Sequence, residues 1–214
     1  MVSARAEIRD AATVVLLRRG AGGTSVLMGR RRDDAAFMPG KFAFPGGAVD
    51  PGDGDIDLTC DAAGERRLST PDGPAPRAFL AAAIRELWEE TGLVLGRAAE
   101  WPDAPDDWRG FAATGHRPDA AALRFVFRAV TLPGRPRRFD ARFFVAEATA
   151  LSTDPDDFAA ASGELEQLAW VPLTGTGALA MPFVSRLALA EAGADAPSPH
   201  GIAFLRDDAV TRIR

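Results

Sequence analysis

The tightest constraint on the fold lies between Pro76 and Gly92. There Phe79, Leu80, Ala83, Ile84, Leu87 and Trp88 recur at three- and four-residue steps, while Arg85, Glu86, Glu89 and Glu90 take the other side. Proline is tolerated at a first helical position and glycine ends helices, so the stretch predicts one helix of about four turns. Such a helix must lay its apolar face on a partner layer, and the rest of the chain supplies that layer as short strands.

Ala12 to Arg18 and Ser25 to Arg31 are apolar runs separated by the turn chemistry of Gly20 to Gly23, and they read as a hairpin. Lys41 to Pro45 alternates with aromatic residues and stops at Gly46-Gly47, as a strand does at a tight turn. Asp50 to Pro76 has little hydrophobic period and reads as a long loop. Beyond the helix comes a polar, Trp-containing stretch to Asp119. Strand-like Leu123 to Thr131 follows, then a Pro/Arg turn, strand-like Arg138 to Ala146 and Glu166 to Val171, and a second amphipathic helix from Phe183 to Ala192. With 214 residues, 21 Gly and 16 Pro, this predicts one domain with insertions and much turn.

Charge and residue usage exclude several functions. A formal charge of −5 argues against a groove binder that works by neutralising nucleic-acid phosphates. The apolar run Ala11 to Leu17 is too short to span a bilayer, and Arg18 and Arg19 follow it rather than precede it, so neither a membrane span nor a signal peptide is expected. The single cysteine, Cys60, makes no internal disulfide, and His116 and His200 form no zinc-ligand pattern. A cytoplasmic protein is the expectation. Tyrosine is absent and Lys41 is the sole lysine, so tyrosyl catalysis is excluded and a lysine mechanism has one candidate.

Glu86, Glu89 and Glu90 stand at i, i+3 and i+4 of the predicted helix, so their carboxylates share about one turn. Crowded anions repel unless cations neutralise them, and hard carboxylate oxygens favour Mg²⁺ or Mn²⁺. Arg85 is placed to hold one carboxylate by a paired hydrogen bond. Alone, this pattern also describes a solvated acidic helix face with an ordinary ion pair. The flanks, Phe44-Pro45-Gly46-Gly47 upstream and Thr91-Gly92-Leu93 downstream, favour the metal reading.

Gly47 together with Arg85-Glu86-Leu87-Trp88-Glu89-Glu90-Thr91-Gly92-Leu93 resembles the Nudix box, the signature of the Nudix hydrolases. The second half matches at every defined position. The first half departs: Asp53 stands where the box has Glu, and residues 54–84 separate it from Arg85 where the pattern has seven residues. That long insert, with Phe37-Met38-Pro39-Gly40 and the Arg138 to Val145 stretch, is similar to the branch containing the peroxisomal coenzyme A diphosphatases of animals and their bacterial relatives.

The resemblance implies an α/β fold: an α/β/α sandwich with a mixed, partly curved sheet between the box helix and the second helix. It covers residues 10–206, leaving tails at 1–9 and 207–214 and a loop insertion at about 54–76. It implies a Mg²⁺- or Mn²⁺-dependent hydrolase of the diphosphate bridge in a nucleoside diphosphate derivative, with coenzyme A or acyl-CoA as leading substrate. ADP-ribose, dinucleotides, nucleotide sugars and a non-catalytic nucleotide-binding module stay open, as does a homodimer. The implied metal site is Glu86, Glu89, Glu90 and Gly47, with Arg85 beside it; Glu86, Glu164 and Glu166 are candidates for the proton acceptor. Gly46 and Gly47 let backbone approach that site, or simply end a strand. Arg138 and Arg142, with Arg135 and Arg137, form the densest basic cluster, able to meet substrate phosphates or to pair with the Asp-rich loops. Trp101, Trp108 and Trp170 either stack on a base or belong to the core. Asp53, Asp55 and Asp57 lack the calcium-loop glycine and glutamate, and read as a solvated loop.

Overall fold

The computed structural model of the chain describes residues 7–59, 62–193 and 201–213, so Cys60 and His200 lie outside the described residues. The two expected hairpin strands are present as β1 (Ile8–Gly20) and β2 (Gly23–Arg31). They are followed by β3 (Phe42–Ala43), β4 (Gly46–Ala48), α1 (Ala62–Leu68) and α2 (Pro76–Thr91). A small separate pair, β5 (Gly96–Ala98) and β6 (His116–Pro118), brackets α3 (Arg109–Ala112). Then come β7 (Arg124–Val130), β8 (Arg138–Glu147), β9 (Leu165–Pro172), α4 (Phe183–Ala192), β10 (Ile202–Arg206) and β11 (Ala209–Ile213). Among the described residues, no helix is long and apolar enough to cross a membrane.

The main sheet has nine strands in the order β11-β10-β7-β8-β1-β2-β3, with β4 added to β1 and β9 to β2. It is mixed: β1 runs parallel to β8 and β10 parallel to β7, while the other pairs are antiparallel. β1 is central because it changes partner along its length, pairing Ala11–Thr13 with β4 and Leu17–Gly20 with β2. Its run Val14 to Leu17 is buried throughout because strand side chains alternate between faces and both faces are covered. Ala12, Val14 and Leu16 join the α2-side core with Phe79, Ile84 and Leu87. Val15 and Leu17 join the opposite core, with Ala188 and Ala192 of α4. This is the expected sandwich.

The box helix runs from Pro76 to a left-handed Gly92 (φ 78°), whose N–H donates to the Trp88 carbonyl at 2.7 Å. A side chain at Gly92 would also crowd Ala160, because the 152–164 loop docks there. Ser152 N donates to Val94 O (2.9 Å), and Ser162 N donates to Glu89 O (2.8 Å).

Four expectations are corrected. The 50–76 segment is not a plain loop: it holds a 3₁₀ turn at Pro51–Asp55 and the helix α1, and Ile56, Leu58 and Leu68 anchor it in the α2-side core. Three isolated anchors generate no period, which is why the pattern looked featureless. Gly46-Gly47 does not end a strand; it forms one, because only bare backbone fits against Ala12 and Thr13 of β1. Residues 209–213, expected as tail, form β11, paired along β10. Asp53, expected in water, is 2% exposed, whereas Asp55 and Asp57 are exposed as read.

Arg142 is fully buried, with its guanidinium 4.0 Å over the Phe79 ring and ion pairs to Asp10 and Asp140. Arg128 completes that network through both Asp140 oxygens. Phe79 thus fills the space between helix and sheet and floors a buried cation. Phe79→Ala is expected to lower stability by about 3–5 kcal/mol in urea denaturation, the range for truncating a buried phenylalanine; a loss under about 1 kcal/mol would contradict this packing.

Candidate active site

The site grows from the buried guanidinium of Arg85 on α2. Its Nε and Nη2 donate to the two oxygens of Asp53 at 3.0 and 2.9 Å, and Nη2 also donates to the Ala48 carbonyl of β4 at 3.0 Å. Its Nη1 donates to Glu86 at 2.9 Å and to Glu89 at 3.3 Å. Burial alone would lower the pKa of Arg85, but the Asp53 hydrogen bonds and the charges of Glu86, Asp53 and Glu89 outweigh it and raise it. The pairing expected with one carboxylate is therefore a clamp on three.

Asp53 explains how the box tolerates its own departure. A shorter acid at that position reaches Arg85 because the 3₁₀ turn carries it inward, and the Asp50 N–H donates to Asp53 Oδ2 at 2.8 Å. This role for Asp53 was not legible from spacing, since the partners are far apart in sequence.

The three glutamates are held by different partners. Glu90 is buried and accepts the Gly46 N–H at 2.8 Å; burial drives its pKa well above the usual carboxylate range, the Gly46 amide opposing and Glu86 and Glu164 reinforcing. Burial also pushes Glu86 up to about 7 against the pull of Arg85, and raises Glu89. The Glu86 carboxylate lies where a Cβ on Gly47 would be, so that position must be bare. Among the described residues, no three acidic, histidine or cysteine side chains converge in a ready-made cage. The donor set is nonetheless of the kind a hard divalent cation takes: oxygens only, with more carboxylate than cation, and Glu86 lying against glycine backbone.

Glu86, Gly46 and Gly47 line a cleft of about 490 Å³ on the α4 side of the sheet. Glu164 lines it too, accepting from Arg31 Nη2 at 2.9 Å. Glu166 does not; it is exposed and 4.0 Å from Arg30. The basic cluster splits: Arg135 and Arg137, in the turn before β8, line the cleft with Phe139 and Phe143, whereas Arg138 and Arg142, within β8, do not. Arg138 is buried and donates to the Thr131 carbonyl at 3.1 Å, and Arg142 is locked in its aspartate pairs. Neither reaches the cleft, which corrects their expected contact with substrate phosphates. Apolar groups complete the wall: Phe37, edge-on to Phe139 at 5.2 Å, with Met38, Leu132 and Phe183, the last 68% exposed. The run Phe37-Met38 was visible in the sequence, but its place in the cleft was not.

The remaining candidates lie elsewhere. Trp108 is buried against Phe111 and Trp101 at centroid distances of 5.3 and 5.7 Å, the core alternative. Trp170 packs under Arg18 at 4.1 Å, and His116 Nδ1 sits 2.9 Å from the Thr114 carbonyl.

No protein-family model matches the chain, and no curated protein matches it. Solved structures do. The chain is similar to a MutT Nudix hydrolase from Burkholderia pseudomallei at 18% identity, covering 86% of this chain and 98% of that one with a TM-score of 0.50, a likeness of fold. It is similar to a Nudix hydrolase from Alicyclobacillus acidocaldarius at 31% identity, covering 88% of this chain and 93% of that one with a TM-score of 0.62. That identity, sustained over nearly the whole of both chains and joined to the sandwich and its acidic helix, means that the chain belongs to the Nudix hydrolase family.

Proposed function

We propose that this protein hydrolyses the P–O–P bridge of a nucleoside diphosphate joined to another moiety, in a reaction that depends on Mg²⁺ or Mn²⁺. The observation that carries this reading is the turn of α2 that gathers Glu86, Glu89 and Glu90 around Arg85 and Gly46 and brings Glu86 to a cleft also lined by Arg135 and Arg137. Glu86, Glu89 and Glu90 would hold the metal, with Gly47 giving its backbone close access. A divalent ion so bound would draw charge off the diphosphate and lower the pKa of the attacking water.

The chain's own groups do the rest. Arg85 limits the rotamers of Glu86 and Glu89, so the donors are oriented before substrate arrives. Glu164 faces Glu86 within the cleft and takes the proton from water as its oxygen attacks one phosphorus. The bond from that phosphorus to the bridging oxygen breaks, and two monophosphates leave. Arg135 and Arg137 meet the substrate's anionic groups, and the wall of Phe37, Met38, Phe139 and Phe183 receives an apolar portion. A cleft with that much aromatic surface suits coenzyme A or an acyl-CoA as leading substrate. A panel of coenzyme A, ADP-ribose, dinucleotides and nucleotide sugars, with products identified by mass, tests this. Monophosphate release with Mg²⁺ and none with EDTA is expected, with coenzyme A or its acyl derivative turned over fastest.

Two variants probe the metal assignment. Glu90→Gln is expected to cut kcat by about 10²-fold or more, a loss typical of removing one essential charged group at a reaction centre, while the far-ultraviolet circular dichroism stays unchanged. Near-normal turnover would reject the role given to the helix. Gly47→Ala is expected to leave the melting temperature within about 2 °C, since its backbone is not left-handed and the displaced atoms end a flexible side chain. It should nevertheless lower kcat by roughly 10²-fold, because a small displacement of Glu86 misplaces the reacting groups; full activity in this variant would remove Glu86 from the site.

A further inference from the structure

Arg31, at the end of β2, touches two segments that the chemistry needs at once. Its Nη2 donates to Glu164 Oε1 at 2.9 Å, and its Nε donates to the Phe37 carbonyl at 2.9 Å. An exposed arginine–glutamate pair is ordinarily worth little, about 0–1 kcal/mol. This one differs because the planar guanidinium is fixed at two points and is only 17% exposed, whereas Glu164 is 55% exposed and otherwise free to turn into solvent.

The local backbone is built around the same contact. The β2–β9 register shifts between Met28 and Arg30: Met28 faces Ala169, but Arg30 faces Glu166 and Arg31 faces Leu165. Glu166 sits within β9 opposite Arg30, whereas Glu164 lies one residue before the strand begins and lines the cleft. On the other side of Arg31, Met38 lies in the left-handed region (φ 51°), a conformation that costs a non-glycine residue energy and persists where neighbours hold it. The bond to the Phe37 carbonyl, with Gly40 N donating to Arg31 O and Arg31 N to Lys41 O, supplies that hold.

We infer that Arg31 is a positioning residue that fixes the proton acceptor Glu164 and the apolar substrate wall at Phe37 and Met38 as one unit. The inference rests on Glu164 taking the proton from water. Arg31 acts on the chemical step through Glu164 and on substrate binding through the 33–40 loop, so its two effects are separable.

The test is a double-mutant cycle on the full chain, with coenzyme A and, in parallel, ADP-ribose as probes in Mg²⁺. Arg31→Gln is expected to lower kcat by about 10–10²-fold and to raise KM several-fold. In the Glu164→Gln background, the same change should cost less than about threefold in kcat and keep its effect on KM. Arg31→Lys, which retains charge but lacks the fork, should restore part of kcat. An equal kcat loss in both backgrounds would overturn the positioning role and leave Glu164 as proton acceptor. Full kcat in Glu164→Gln alone would remove both. Hydrogen–deuterium exchange without substrate gives an answer independent of turnover: Arg31→Gln should speed exchange at residues 35–41 and 162–164 together, and unchanged exchange at either segment would overturn the coupling.

Discussion

The structure depends on one buried cation. Taking a guanidinium out of water costs several kcal/mol, and Arg85 recovers that only because Asp53, Glu86, Glu89 and the Ala48 carbonyl occupy its donors together. The partners come from three places: the turn at the start of the insert, the glycine strand, and the helix itself. Arg85 is therefore where the insert, the sheet and α2 are joined. It also makes the acidic turn tolerable, since one positive charge lies between two of the three glutamates while Glu90 is held by the Gly46 amide.

Close backbone approach is the second constraint, and it follows from the first. For Ala48 to present its carbonyl to Arg85, β4 must press against β1, and Gly46 and Gly47 permit this because a side chain at Gly46 would strike Ala12 and Thr13 and one at Gly47 would strike Glu86. The same pair of residues thus packs the sheet, donates to Glu90 and leaves room for Glu86. Sheet alternation then sorts the residues of β8. Within β8, Phe139, Ala141 and Phe143 line the cleft, whereas Arg138 and Arg142 are buried away from it, Arg142 between Asp10, Asp140 and the Phe79 ring.

What was legible in the sequence were the periodic and punctuated elements. α2 runs from Pro76 to Gly92 as its apolar steps predict, α4 spans Phe183–Ala192, and β1, β2, β7, β8 and β9 fall within a few residues of their apolar runs. Long-range pairing was not legible. Asp53 reads both as one acid of a solvated loop and as the stand-in for the first glutamate of the box, and nothing local says that it meets Arg85 across 32 positions. Arg142 reads as one member of a basic cluster, and only the register of β8 against β1 places it beside Asp10. The start of β9 at Leu165, which leaves Glu164 outside the strand and Glu166 inside it, is likewise a property of the β2–β9 pairing, not of the strand's own pattern. The helix-borne half of the site was therefore visible, while the parts delivered by pairing and loops were not.

The charge distribution gives this acidic protein a cleft lined by charges of both signs. The chain carries a formal charge of −5, which at long range disfavours a diphosphate. Physiological salt screens exposed charges beyond about 8 Å, so the local field is set by the groups that line the cleft: Arg9, Arg31, Arg135 and Arg137 against Glu86, Glu164 and Asp208. Glu86 is the most buried carboxylate that lines the cleft, beside exposed Glu164 and Asp208, while Glu90 is buried and held by the Gly46 amide. On the function proposed above, divalent cations held by the acidic turn would let an anionic group approach it, and the bare backbone of Gly47 leaves Glu86 its place there.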